Sequence, residues 1–135
     1  MLRYSQYITG STFSHSSGMS RVKHMIVVTF EISVLKSKRR EFIQAVPGIL
    51  TGASRDAGCI NHHLSQDLQD ENRFFVSQSW ENQSQLNVYW RSERFGMFMG
   101  ALHLMRRAPA VKIHAVSFTV GIEAVKAARA SNHSE

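Results

Sequence analysis

From Met25 to Val34 the chain alternates. Ile26, Val28, Phe30, Ile32 and Val34 are all apolar, whereas Met25, Val27, Thr29, Glu31 and Ser33 are mixed. A period of two in a run rich in β-branched residues predicts a strand with one face in the core and the other only partly wet. The period then lengthens. Phe42, Val46, Ile49, Leu50 and Ala53 recur at offsets of four, seven, eight and eleven, which is one face of a helix, with Ser37 as its candidate N-cap. Pro47 lies inside this pattern and is expected to kink or divide the helix, because it lacks the N–H that the ladder needs. Gly58 is the expected helix stop.

The remaining pattern repeats these themes. A second strand is predicted over Cys59–Leu68, ending in a polar hairpin loop at 66–72, and a third over Arg73–Trp80. Residues 83–90 and 94–105 read as two helical pieces, the second with a stripe of Phe95, Phe98, Met99, Leu102 and Met105. A last strand spans Val111–Val120, and a polar tail over 123–135, with helical character, follows. The order β-α-β-β-α-β is the ferredoxin-like arrangement, an α+β antiparallel sheet with its helices on one face. Phe75 opposes Phe74 and Val76, and Val111 and Ile113 oppose Val116 and Phe118, so both sheet faces carry apolar side chains. An uncovered apolar face calls for a partner, and a two-fold homodimer is the simplest one.

Composition narrows the picture. With 43% hydrophobic and 19% charged residues, the chain can build a packed core. No apolar run is long enough for a bilayer, and a single cysteine, Cys59, permits no intrachain disulfide, so a soluble, cytoplasmic protein is expected. Of the net charge of +6, half comes from Arg3, Arg21 and Lys23 in an acid-free, Ser-rich stretch over 1–24. That stretch has no sustained periodicity and is expected to be a mobile arm, or an over-extended start ahead of Met19 or Met25. The remainder is too weakly basic to indicate a nucleic-acid partner.

Three stretches in order, a strand opening at Met25, the segment AGCINHHLSQD, and FFVSQSWENQSQLNVYWRSERF, resemble the antibiotic biosynthesis monooxygenase family of dimeric α/β barrels. The chain keeps that family's Gly58-Cys59, Trp80, Leu86, Ser92 and Phe95. It departs where the family usually has an acid, here Gln78, and a helix histidine, here Tyr89, and His62 stands where an aromatic is common. The resemblance implies a domain over 25–122 that works as a homodimer. It implies oxidation of a small electron-rich aromatic, a quinol or polyketide-like phenol, by O2 without metal or other cofactor. Haem degraders of similar fold use an Asn, a Trp and a His; the corresponding Glu31, Tyr89 and Met99 match none of them.

Such chemistry needs a proton acceptor, donors that hold the substrate anion, and an apolar wall. His62 is the candidate base, since a histidine is largely neutral at pH 7, and Tyr89 the candidate proton or hydrogen-bond donor. Gln78, Trp80, Trp90 and Arg94 are the candidate substrate-binding residues. Each also has a plainer reading: a hydrogen-bonded strand histidine, a packed tyrosine, a satisfied amide, core indoles, a solvated arginine. His63 points to the face opposite His62 by alternation, so the two do not make a metal pair. His114 is a lesser candidate, Cys59 reads as core, and Lys36, Lys38, Arg39 and Arg40 read as a solvated helix start. The alternative function is a non-catalytic ligand-binding or stress-related dimeric barrel, which the replacements at Gln78 and Tyr89 favour.

Overall fold

The computed structural model describes residues 24–52 and 56–131. Apart from His24, the expected arm over 1–24 lies outside them, as does Ala53. Four strands, β1 (Met25–Ser33), β2 (Cys59–Gln66), β3 (Arg73–Trp80) and β4 (Ala110–Val116), form one antiparallel sheet in the order β2-β3-β1-β4. The helices are α1 (Arg39–Thr51), α2 (Gln83–Trp90), α3 (Glu93–Gly100) and α4 (Ile122–Ser131), with 3-10 turns at Lys36–Lys38 and Ala101–Leu104. This is the ferredoxin-like order read from the pattern, and within one chain the sheet is open rather than closed into a barrel.

The alternation in β1 decides which face is covered. Ile26, Val28, Phe30 and Ile32 are all buried, and register places Trp80, Gln78, Val76 and Phe74 of β3 beside them. Phe42, Val46 and Leu50 of α1, with Leu86, Tyr89 and Phe98 from α2 and α3, complete the same core. The opposite face is less apolar than the pattern suggested. Met25, Val27, Phe75 and Val116 share it with Thr29, Ser77, Ser79, Asn61, His63, Lys112 and His114, while Phe118 falls beyond the strand.

Several boundaries differ from expectation for local reasons. Ser37 sits within a 3-10 turn, so α1 begins after Lys38 and has no side-chain cap. Pro47 does not divide α1. The ladder bond that Pro47 cannot donate would go to the carbonyl of Ile43, a residue on the exposed side of the helix, where losing it costs least. The helix also ends before Gly58, with Gly52 as C-cap. β2 stops at Gln66 because Asp67 and Asp70 accept backbone N–H bonds from Gln69 and Asn72, folding the loop into local turns. β4 stops at Val116 because its partner there is Met25, the first residue of β1. The expected 94–105 helix is α-helical only to Gly100 and then tightens into 3-10 geometry over Ala101–Leu104.

Two retained family residues acquire a structural cause. Ser92 caps α3 by accepting the N–H of Phe95 at 3.2 Å. Gly58 has φ +88°, and a Cβ there would lie 2.5 Å from Cβ and Cγ of Gln85 on α2. Only glycine tolerates both the left-handed backbone and the close helix. Gly58→Ala is therefore expected to destabilise the fold by about 1–3 kcal/mol, measurable as a lowered denaturation midpoint; an unchanged midpoint would show that α2 can shift at no cost.

Candidate functional site

At the centre of the covered face lies a polar side chain, Gln78, with 0% of its surface exposed. The Trp80 indole Nε1 donates to Gln78 Oε1 at 3.2 Å, and Gln78 Nε2 donates to the Tyr89 hydroxyl at 3.3 Å. The indole N–H can only donate, so it fixes the amide with its oxygen toward Trp80 and its NH2 toward Tyr89. The Trp80 and Tyr89 rings stack at 4.8 Å between centroids, and Phe95 meets Tyr89 edge-on at 5.3 Å. A β3 side chain thus ties the sheet to α2. The Tyr89 oxygen is an acceptor in this chain, which leaves its O–H proton to be given elsewhere. Burial pushes its pKa up, against the opposing Gln78 bond, so it stays protonated at neutral pH.

His62 pairs with Gln78 across β2 and β3 and lies on the same covered face. Directly opposed side chains of this kind have Cβ atoms about 5 Å apart. The ring is partly buried, and its Nε2 is shut from solvent with no hydrogen-bond partner. Burial lowers its pKa below the ordinary 6.5, with the neighbouring His63 charge adding to the effect and a backbone hydrogen bond opposing it. His62 is therefore neutral at pH 7 and carries a buried, uncommitted nitrogen. His63 faces the other side of the sheet, next to Ser77.

Four of the six expected site residues, His62, Gln78, Trp80 and Tyr89, come together in this way. Arg94 lies at the edge of the cluster but is already engaged, its Nη1 donating to Asp56 Oδ1 at 3.0 Å. Gly52 makes room for it, since a Cβ there would overlap the Arg94 side chain. Trp90 is elsewhere. It lines an apolar groove of about 390 Å³ with Phe30, Phe95, Phe98, Met99 and Val111, on the β4 side of the sheet. His114 faces the uncovered side of the sheet. Glu31 also lies there, bonded to Arg73 at 2.9 Å, so it does not converge with Tyr89 and Met99. Of the basic run, Arg39 bonds Asn72 at 2.7 Å and Lys38 lies 3.7 Å from Glu41.

Asp56 escaped the sequence reading, whereas Cys59, expected as core, packs against it partly buried. Asp56 and Cys59 both act electrostatically on the Tyr89 hydroxyl, as does Arg94, so all three belong to its surroundings. The Asp56–Arg94 pair spans 38 positions, and nothing local announces it. Cys59 had a signal in the retained Gly-Cys pair; its thiol bonds the Asn61 carbonyl at 3.5 Å, and burial with the Asp56 charge pushes its pKa up.

Gln78→Leu leaves the Trp80 N–H without an acceptor and Tyr89 without its donor, and is expected to cost about 1–3 kcal/mol, read by chemical denaturation. A second expectation concerns acid. The folded state holds His62 below 6.5, so from about pH 6.5 downward the unfolded state binds more protons and stability falls until the lowered pKa is passed. The melting temperature of the native chain should drop relative to His62→Gln over that window, and parallel curves would refute the assignment.

The wider comparisons agree with this architecture. A putative antibiotic biosynthesis monooxygenase from Deinococcus radiodurans superposes with a TM-score of 0.67 at 16% identity, covering 72% of this chain and 97% of the other. A second, from Nitrosomonas europaea, gives 0.66 at 17%, covering 73% and 96%. A conserved protein from Methanosarcina mazei gives 0.65 at 18%, covering 72% and 97%. These likenesses establish the fold. A search of curated proteins finds no match. The sequence model of antibiotic biosynthesis monooxygenases matches residues 25–101, more than half of the 135, and the chain belongs to that family.

Proposed function

We propose that the protein is a cofactor-independent monooxygenase that oxidises a small electron-rich aromatic, a quinol or polyketide-like phenol, with O2. The observation that carries this reading is the unpartnered, neutral His62 Nε2 beside a hydrogen-bonded Gln78–Tyr89 pair. In this reading His62 takes the phenolic proton, and the Tyr89 O–H donates to the substrate oxygen as negative charge builds there. Trp80 forms the aromatic wall, Gln78 orients Tyr89, and Arg94 turns from Asp56 to the anion. Trp90 contributes from the adjoining groove, through the Phe95 partition.

The electron balance closes without a further reductant. A phenolate gives an electron to O2, and the resulting pair combines at a ring carbon to form a peroxide. Loss of water from it leaves a quinone. One oxygen atom enters the ring, the other leaves as water, and the substrate supplies all four electrons. Exclusion of bulk water protects the charged intermediates, and Gln78, Trp80 and Tyr89 are nearly inaccessible to solvent.

We place the working unit as a homodimer that buries the uncovered sheet face, as its mixed Val27, Thr29, Phe75 and Ser77 surface permits. Among the described residues no helix is long and apolar enough to cross a membrane. A reducing, cytoplasmic setting would keep Cys59 as the free thiol it is here.

O2 uptake with a panel of quinols and phenols, on chelator-treated protein, tests the proposal. His62→Ala should lower turnover by roughly 10²–10⁴ with folding retained, and the native rate should fall in acid only below pH 6.5. Trp80→Phe should weaken substrate binding and slow turnover modestly, since it preserves most of the wall. Tight aromatic binding with no O2 uptake across the panel would assign the non-catalytic ligand-binding reading instead.

A further inference from the structure

The surplus charge of the chain gathers toward its two ends. Residues 24–100 carry eight basic and eight acidic side chains and are neutral as a whole. Beyond them, residues 101–131 carry five basic side chains against Glu123 alone, and the acid-free stretch ahead of His24 adds three more. Both basic stretches join the domain at the same corner. His24 Nδ1 lies 3.2 Å from the Val116 carbonyl, and Met25 pairs with Val116, so the chain enters β1 beside the point where it leaves β4. Arg21 and Lys23 directly precede that point in sequence, and Lys126 and Arg129 of α4 follow it.

The segment that leaves this corner is also apolar. Phe118 is 78% exposed, Val120 65%, Ile122 62% and Val125 52%. The ten-residue α4 buries no residue, although a helix of that length is only marginally stable in water unless it packs an apolar face. Ile122, Val125, Lys126 and Arg129 stand at offsets of three, four and seven, which puts two apolar side chains and two cations on one helix face. Lys126 lies 3.7 Å from Glu123, a surface contact of little worth. We infer that this corner docks on an anionic lipid surface, with Phe118, Val120, Ile122 and Val125 entering the headgroup boundary and Lys126 and Arg129 meeting the lipid phosphates.

The mixture on that face selects the partner. A dry protein groove would strip water from both cations, which costs far more than burying Ile122 and Val125 returns. At a bilayer interface the long stems of Lys126 and Arg129 lie along the apolar boundary while their charged heads stay among phosphates. The potential of an anionic leaflet draws in each cation that reaches it, those of the chain's other end included. Nucleic acid would answer the charge but leave the four apolar side chains in water. The contact is peripheral, since among the described residues no helix is long and apolar enough to cross a membrane. It uses none of His62, Gln78 or Tyr89, so its test reads separately from O2 uptake.

Vesicle co-sedimentation of the full chain tests it. The protein should pellet with vesicles of equimolar phosphatidylglycerol and phosphatidylcholine and stay in the supernatant with phosphatidylcholine alone. Binding to neither, or equal binding to both, overturns the inference. Lys126→Gln with Arg129→Gln, and separately Ile122→Ser with Val125→Ser, should each weaken binding at least about tenfold. Because α4 buries no residue, both variants should keep the native melting temperature. A loss through the cation change with the apolar change silent, and equal capture by single-stranded DNA, would mark a general polyanion contact and reject lipid docking. A shift of the Ile122→Ser, Val125→Ser variant from dimer to monomer in sedimentation equilibrium would place a second copy on this face and reject it as well.

Discussion

The structure depends on the cost of burying an amide. Gln78 occupies the middle of a face whose neighbours, Val28, Val76 and Trp80, are apolar, and an amide in such a place must satisfy its donors and acceptor within the protein. Trp80 and Tyr89 do so from opposite sides. The requirement fixes the indole, sets the register of α2 on the sheet and directs the tyrosine hydroxyl. It also gives the cluster a definite sense: hydrogen bonds run from indole to amide to phenol, and the last proton in the series is free. Family members with an acid at this position would carry charge where this chain carries a neutral group, so any anion held nearby here escapes that repulsion.

Much of the fold was legible because it follows from periodicity. The even positions of β1 went inside together, and β3 and the helical stripe of Phe42, Val46 and Leu50 obeyed the same rule. What periodicity cannot carry is the identity of a partner distant in sequence. Ser37 looked like a cap in isolation, yet a tighter turn engages it first; Asn82 and Ser92 cap α2 and α3. The end of β4 depended on where β1 begins, a fact about pairing rather than about Ser117 or Phe118.

The candidate site was legible in the same partial way. Strand parity placed His62, Gln78 and Trp80 on one face, and the family motif drew attention to the helix position of Tyr89. Trp90 and Arg94 are close to Tyr89 in sequence but diverge in space. A helical turn sends the indole toward β4, and Arg94 reaches back to Asp56. Adjacency along the chain suggested one cluster where the helix makes two regions.

Between those two regions stands a single ring. Phe95 touches Tyr89 on one side and Phe30 and Phe98 on the other, at 5.3, 6.3 and 5.7 Å. Its bulk therefore separates the hydrogen-bonded Gln78–Tyr89 cluster from the apolar groove. A smaller residue there would extend the groove toward the buried Tyr89 hydroxyl, giving an apolar space one polar end. The depth of that groove is set, in that sense, by the thickness of one internal wall.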